Sequence, residues 1–206
     1  MKATMKTLSA ILICCFISTI QMYGENIQRP ESENYVKGVE ALNEGNPEAA
    51  YTYLNAEINE HPDNGYAHCY MALICNFCND TKLALQALNS SLELIPEADT
   101  EYRSFAHYSR GVLLTNLKMW ERAEADLNEA IRLNPEDVEN YKSRAQLYFE
   151  TERYEESLDD LTRALKLDSK ADVNDLVLQL MAVAPTSEFM ERITATYQQL
   201  DQVTIH

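Results

Sequence analysis

Cys75-Asn-Phe-Cys78 has the spacing of a dithiol redox pair. Reactive pairs of that kind sit at a helix N-terminus, where the helix dipole stabilises the thiolate. Here the apolar pattern places both cysteines at the C-terminal end of a helix, and there the dipole acts in the opposite sense. The spacing therefore favours core cysteine, and a thiol redox protein using Cys75 and Cys78 stays as a distant alternative. A disulfide among Cys69, Cys75 and Cys78 is open, and the odd count leaves at least one thiol free. His68 and His107 offer two imidazoles but no third ligand of known position, so no metal site is expected. Between Glu150 and Asp160 stand six acids and one base, Arg153, without the Asp-x-Asp-x-Asp-Gly geometry of a calcium loop. That run reads as a solvated outer helix face. The sequence holds no glycine-rich phosphate loop, nucleophile elbow or metalloprotease helix motif. The expectation is a protein that is not an enzyme and takes no cofactor.

The elements behind these residues show in the stretch from Gly111 to Pro135. A small residue at 111 lets two helices approach closely. Trp120 opens the second helix, Ala123, Leu127, Ala130 and Ile131 form its apolar stripe, and Pro135 ends it. The pattern recurs. Gly38, Ala72, Gly111 and Ala145 form one column; Ala50, Ala84, Ala123 and Ser157 a second. Leu54, Leu88, Leu127 and Leu161 form a third, and Pro62, Pro96, Pro135 and Ser169 a fourth. In every column the residue numbers step by 34, 39 and 34. Cys75 falls in the apolar place held by Leu114 and Tyr148. No window alternates with period two as a strand would.

Small residue, aromatic, Ala-x-x-x-Leu and Pro at these spacings resemble the tetratricopeptide repeat, an antiparallel helix pair of about 34 residues. The resemblance implies an all-α fold, a right-handed α-solenoid of such pairs. Four repeats are assigned to 31–64, 65–98, 104–137 and 138–171, with Asp99 to Arg103 inserted between the second and third. The inserted residues are read as an N-terminal extension of the next helix, capped by Asp99. Departures from the pattern are Pro47 and Thr81 in the Trp120 column, Glu57 in the Ala130 column and Ser169 for the closing proline. After Ala171 two further helices are expected. One carries Leu176, Leu180 and Ala184 and stops at Pro185; the other is capped by Ser187 and carries Phe189, Ile193, Tyr197 and Leu200. Residues 172–201 then form a divergent pair that caps the stack, since a terminal repeat must turn one face to water.

Family members bind an extended peptide or a helix on a concave surface lined by first helices. Carried onto this chain, the resemblance implies a partner-binding set of Tyr35, Val39, Tyr66, Leu73, Phe105, Tyr108, Val112 and Phe149. The lysines and asparagines with which some members clamp a C-terminal carboxylate are missing, apart from Lys142 and scattered amides. The expected function is a non-catalytic scaffold that holds a protein or peptide. The alternative is a self-associating structural solenoid, a possible homo-oligomer whose groove is filled by its own N-terminal segment or a second copy.

The first 24 residues have the pattern of an export signal: Lys2 and Lys6, then an uncharged, mostly apolar run from Leu8 to Ile20. That run is shorter than the roughly 20 residues that span a bilayer. Export to a bacterial periplasm or cell envelope, or secretion, is expected. Gly24 is the assigned last residue removed, anchoring by an uncleaved signal is an open alternative, and 25–30 is a linker. Lipid attachment at Cys14 or Cys15 is disfavoured because Ile13 stands where a small residue is needed. The formal charge of −16 becomes −18 once Lys2 and Lys6 are removed. Such a chain is repelled by nucleic-acid backbones and by anionic membrane surfaces, which excludes both as direct partners.

Overall fold

The computed structural model describes residues 27–183 and 186–203, with side chains up to residue 196. The signal segment 1–24, the stop at Ala184-Pro185 and the side chains of Tyr197 and Leu200 lie outside the described residues. Among the described residues every regular element is an α-helix. In chain order they are α1 (Glu33–Asn43), α2 (Pro47–Glu60), α3 (Gly65–Phe77), α4 (Thr81–Leu94) and α5 (Thr100–Asn116). There follow α6 (Trp120–Leu133), α7 (Val138–Glu150), α8 (Tyr154–Leu167), α9 (Asn174–Val183) and α10 (Ser187–Val203). Two compact units divide the chain within α5, the first ending at Ala106 and the second beginning at His107.

The turn inside each of the first four pairs follows from how a helix closes. Gly45, Asn79, Lys118 and Glu152 hold positive φ angles of 71°, 63°, 58° and 61°. They too form a column with steps of 34, 39 and 34. The next amide donates to the carbonyl five residues back: Asn46 to Ala41 and Asp80 to Cys75 at 2.8 Å, Met119 to Leu114 at 2.9 Å, Arg153 to Tyr148 at 2.8 Å. This closure satisfies carbonyls that the helix end leaves free and requires a left-handed residue just before it. Asn46 and Asp80 also cap the following helix, their side chains accepting from the amides of Ala49 and Leu83.

Within a pair, the small-residue column is where the helices touch. A Cβ on Gly38 would lie 2.6 Å from Leu54 Cγ, and one on Gly111 would lie 2.7 Å from Leu127 Cγ. Ala72 and Ala145 fill the same place in the other repeats, and the four facing leucines are all buried.

A second cross-helix pair repeats its position but not its chemistry. Arg110 forks onto Asp126 through Nε and Nη2, both at 2.7 Å, and Arg144 forks onto Asp160 at 2.8 and 2.7 Å. The equivalent residues of the first repeat are Lys37 and Tyr53, with the ammonium 5.7 Å from the ring centroid. Those of the second are Met71 and Ala87, both buried. Asp160 therefore does not belong to a solvated acidic face: it is buried beneath Arg144. Glu155 and Asp159 are exposed, as expected of such a face, but both accept from Arg192 of α10.

In the second unit α9 and α10 join one buried cluster. Leu176, Leu180, Phe189 and Ile193 pack with Leu158, Leu161 and Leu165 of α8. The cap of α10 is Thr186, whose hydroxyl accepts from the Phe189 amide at 3.1 Å; Ser187, expected to cap, is already the first helical residue. In the first unit, Asp99 Oδ1 accepts from the Tyr102 amide at 3.3 Å, and Thr100–Arg103 form the first turn of α5. Arg103 ties that turn to the end of α4 by donating to the carbonyls of Leu92 and Ile95 at 2.9 and 3.1 Å.

Candidate functional site

The first helices of the first unit meet through tyrosines. Tyr35 of α1 lies 6.1 Å from Tyr70 of α3, and Tyr66 of α3 lies edge-on to Tyr102 of α5 at 4.8 Å. The hydroxyls of Tyr70 and Tyr102 share a 2.8 Å hydrogen bond, and Tyr66 donates to Asp99 Oδ2 at 3.0 Å. Burial pushes the phenols of Tyr35, Tyr70 and Tyr102 well above their ordinary value, so they act as neutral hydroxyls.

The site residues inferred from the sequence fall into two groups. Tyr35, Tyr66, Phe105 and Tyr108 are buried, and in the first unit the tyrosine contacts join one first helix to the next. Val39 and Leu73 in the first unit, and Val112 and Phe149 in the second, are half-buried. Phe149 leans on Tyr154 with ring centroids 5.7 Å apart. The sequence places an aromatic stripe on the first helices but does not distinguish rings that bind helices together from side chains that water still reaches. Lys142 is engaged by Glu139 at 2.7 Å, and Gln146 donates to Glu150 at 3.0 Å.

Four residues of this face escape the sequence reading: Tyr70, Tyr102, Glu101 and Arg29. The Arg29 guanidinium lies 4.6 Å from the centroid of the Tyr102 ring. It donates to Asp99 through Nε at 3.2 Å and Nη2 at 3.3 Å, and through Nη2 to Glu101 at 2.9 Å. Burial alone would lower its pKa; the Asp99 and Glu101 carboxylates outweigh that and raise it. The signal available in the sequence is that Arg29 is the one base between Lys6 and Lys37.

Two of the three described thiols, those of Cys69 and Cys75, are placed for packing. Cys69 is buried, and burial pushes its thiol up to about 12; Cys75 is also buried and shifted up, by burial and then by Asp80 and Cys78. Few thiolates form at neutral pH under those conditions. Cys69, Cys75 and Cys78 are all free, and Cys78 is exposed. His68 Nε2 meets the Pro62 carbonyl at 3.0 Å and His107 Nδ1 meets Asp126 Oδ1 at 2.9 Å, so each imidazole is engaged within its own unit. Among the described residues no three His, Cys, Asp or Glu side chains cluster as metal ligands would, and no helix is long and apolar enough to cross a membrane.

Comparison with known proteins agrees with the helix pairs. Two family models, both described as Tetratricopeptide repeat, match residues 104–137 and 139–170. Both matched stretches are tetratricopeptide repeats. It is 25% identical over 143 residues to human Tetratricopeptide repeat protein 6, covering 69% of this chain and 26% of that one. It is 31% identical over 87 residues to the Lipoprotein NlpI homolog of Haemophilus influenzae, covering 42% of this chain and 28% of that one. The chain thus spans about a quarter of the length of these curated relatives. Among solved structures, MamA 41-end from Desulfovibrio magneticus RS-1 is similar with a TM-score of 0.66 at 19% identity, covering 82% of this chain and 94% of that one. The MamA RS-1 ArsTM double mutant gives 0.66 at 18% identity, with 84% and 96% covered. These likenesses establish the fold, an all-α array of helix pairs.

Proposed function

We propose that the chain is a non-catalytic scaffold that holds a peptide or helical segment of a partner protein at apolar positions its first helices leave partly open. The observation that carries this reading is one repeat column, Val39, Leu73 and Val112, apolar in three successive repeats and half-buried in each. A core position would be closed and a solvent position polar; an apolar side chain left partly open at a recurring place favours a partner that completes its burial. Repeats of this family serve protein recognition, which supports the same reading. Export to a cell envelope is part of the proposal. It is supported by the Lys2, Lys6 and Leu8–Ile20 pattern and by similarity to a protein named as a lipoprotein.

The test is affinity capture from a native extract with the wild-type chain, Leu73→Asp, Val112→Asp and, as control, Lys82→Glu at an exposed site on α4. Capture is expected to be lost with either aspartate and kept by the control, with melting temperatures close to wild type. Undiminished capture by both aspartate variants would overturn the reading. A concentration-dependent mass that Leu73→Asp abolishes would make the partner a second copy of the chain.

A further inference from the structure

The five residues that break the 34-residue period are Asp99 to Arg103. A helix pair needs none of them, since the other repeats close without them. Three of the five, Asp99, Glu101 and Tyr102, hold the guanidinium of Arg29, which lies 70 residues before Asp99 in the chain. The arrangement is matched to that one group. A planar cation is met by both oxygens of one carboxylate, by a second carboxylate, and by an aromatic face. Contacts other than Arg29 also hold the site. The Asp99 side chain is 1% exposed and is fixed by the Tyr66 hydroxyl and the Tyr102 amide, while Arg103 pins the turn to α4. What fills it belongs to a stretch outside the helices: residues 27–32 precede α1 and carry no regular structure.

We propose that Asp99, Glu101 and Tyr102 form a recognition site for an arginine in an extended peptide, and that the chain's own residues 27–32 occupy it as an internal ligand. The proposal rests on the scaffold reading above and adds the chemistry of what is recognised. A partner segment bearing arginine competes with Arg29 for the same carboxylates, and the internal segment sets the affinity such a partner must exceed. Lysine is a poor substitute, because a single ammonium reproduces neither the two-oxygen fork nor stacking on the Tyr102 ring.

The experiment uses the full chain, its Arg29→Ala variant and a synthetic peptide of residues 25–32, with analogues carrying lysine or alanine in place of the arginine. Binding is followed by calorimetry. Arg29→Ala is expected to bind the arginine peptide at least about tenfold more tightly than the wild-type chain does, and the lysine analogue about tenfold more weakly than the arginine peptide. Glu101→Gln added to Arg29→Ala is expected to weaken binding, and Asp99 is left intact because it also caps α5. The peptide is also expected to raise the melting temperature of Arg29→Ala, and of Arg29→Lys should the alanine variant fold poorly. Absence of binding and of thermal rescue in both variants, or equal binding of the arginine and alanine peptides, would overturn the proposal. Capture that Leu73→Asp abolishes would then leave the scaffold reading standing alone; peptide binding without any such loss would do the reverse.

Discussion

Gly111→Leu tests the packing on which the second unit depends. A Cβ at this position lies 2.7 Å from Leu127 Cγ, 3.0 Å from Leu127 Cδ2 and 3.4 Å from the Ala123 carbonyl oxygen. Carbon atoms in contact prefer about 3.5–4.0 Å, so even the first added atom requires an opening of roughly 1 Å between α5 and α6. Leu127 is fully buried and has no free side to which it could retreat. Two opposing effects set the outcome. Replacing a mid-helix glycine by alanine gains about 0.5–1 kcal/mol of backbone propensity, whereas overpacking costs about 1–3 kcal/mol. For Gly111→Ala overpacking wins by about 1 kcal/mol; leucine adds three more carbons to the same closed space, bringing the loss to about 3 kcal/mol. In a chain of this size that corresponds to a fall in melting temperature of roughly 6–12 °C. Trp120, the single tryptophan, opens α6 and reports unfolding of this unit by fluorescence in urea alongside circular dichroism. The pairing itself is read from a cycle with Leu127→Ala. Alone it leaves a cavity, but combined with Gly111→Leu it makes room, so the double variant should lose at least about 1 kcal/mol less than the sum of the singles. Additive losses, or a Gly111→Leu protein that melts with the wild type, would refute the close approach.

Lys118→Gly should stabilise the chain by about 0.5 kcal/mol, because relief of a left-handed lysine slightly exceeds the entropy that glycine adds to the unfolded chain; a fall in urea midpoint would contradict this. Asp126→Asn should cost about 3 kcal/mol at pH 7, since it leaves Arg110 facing a neutral group in a mostly buried pair. Although burial opposes it, contact with Arg110 and His107 holds the Asp126 carboxyl below its ordinary value, so its contribution is full above the unfolded value of about 3.9 and is lost as pH falls through the folded one. The deficit of Asp126→Asn should therefore shrink in urea unfolding below about pH 4. Asp160 shares the fork geometry, yet burial outweighs Arg144 and the neighbouring Asp159 adds like charge, leaving its carboxyl above the ordinary value. Asp160→Asn should cost less than Asp126→Asn at pH 7, and an equal or greater cost would refute that ordering.

The helix pairs were legible because each depends on residues whose role is tied to their size: glycine or alanine where backbones approach, leucine facing it, proline where a helix ends. Only two of the four left-handed turn residues were legible in the same way. Gly45 and Asn79 signal such a turn, but Lys118 and Glu152 have no preference for that conformation and adopt it because helix closure demands it. The forks escaped notice for a related reason. Lys37, Met71, Arg110 and Arg144 share a column, and so do Tyr53, Ala87, Asp126 and Asp160, but the chemistry changes from ring contact to apolar packing to ion pair. A reading that follows residue type sees four unrelated pairs; one that follows position sees a single contact between paired helices. On the first-helix face the spacing located the aromatic residues, while their burial depends on neighbours the spacing does not name.

Position within the period also separates what the fold requires from what it does not. The approach, turn and fork columns have structural roles that their equivalents share: the approach of Gly38 and Gly111, the turn at Lys118 and Glu152, the fork at Asp126 and Asp160. Changing one of them perturbs folding first and binding only as a consequence. Asp99, Glu101 and Tyr102 have no equivalents, because they occupy the five residues by which the second step exceeds the others. Cap formation explains Asp99 in part and ring contacts explain Tyr102 in part, but neither accounts for Glu101, which is 23% exposed and meets the Arg29 guanidinium at 2.9 Å. The first turn of α5 favours an acidic side chain, but a second carboxylate beside Asp99 in an already acidic chain adds repulsion that the Arg29 cation offsets. The extra residues are thus explained by the guanidinium they bind, and chemistry specific to this chain is concentrated where its period fails.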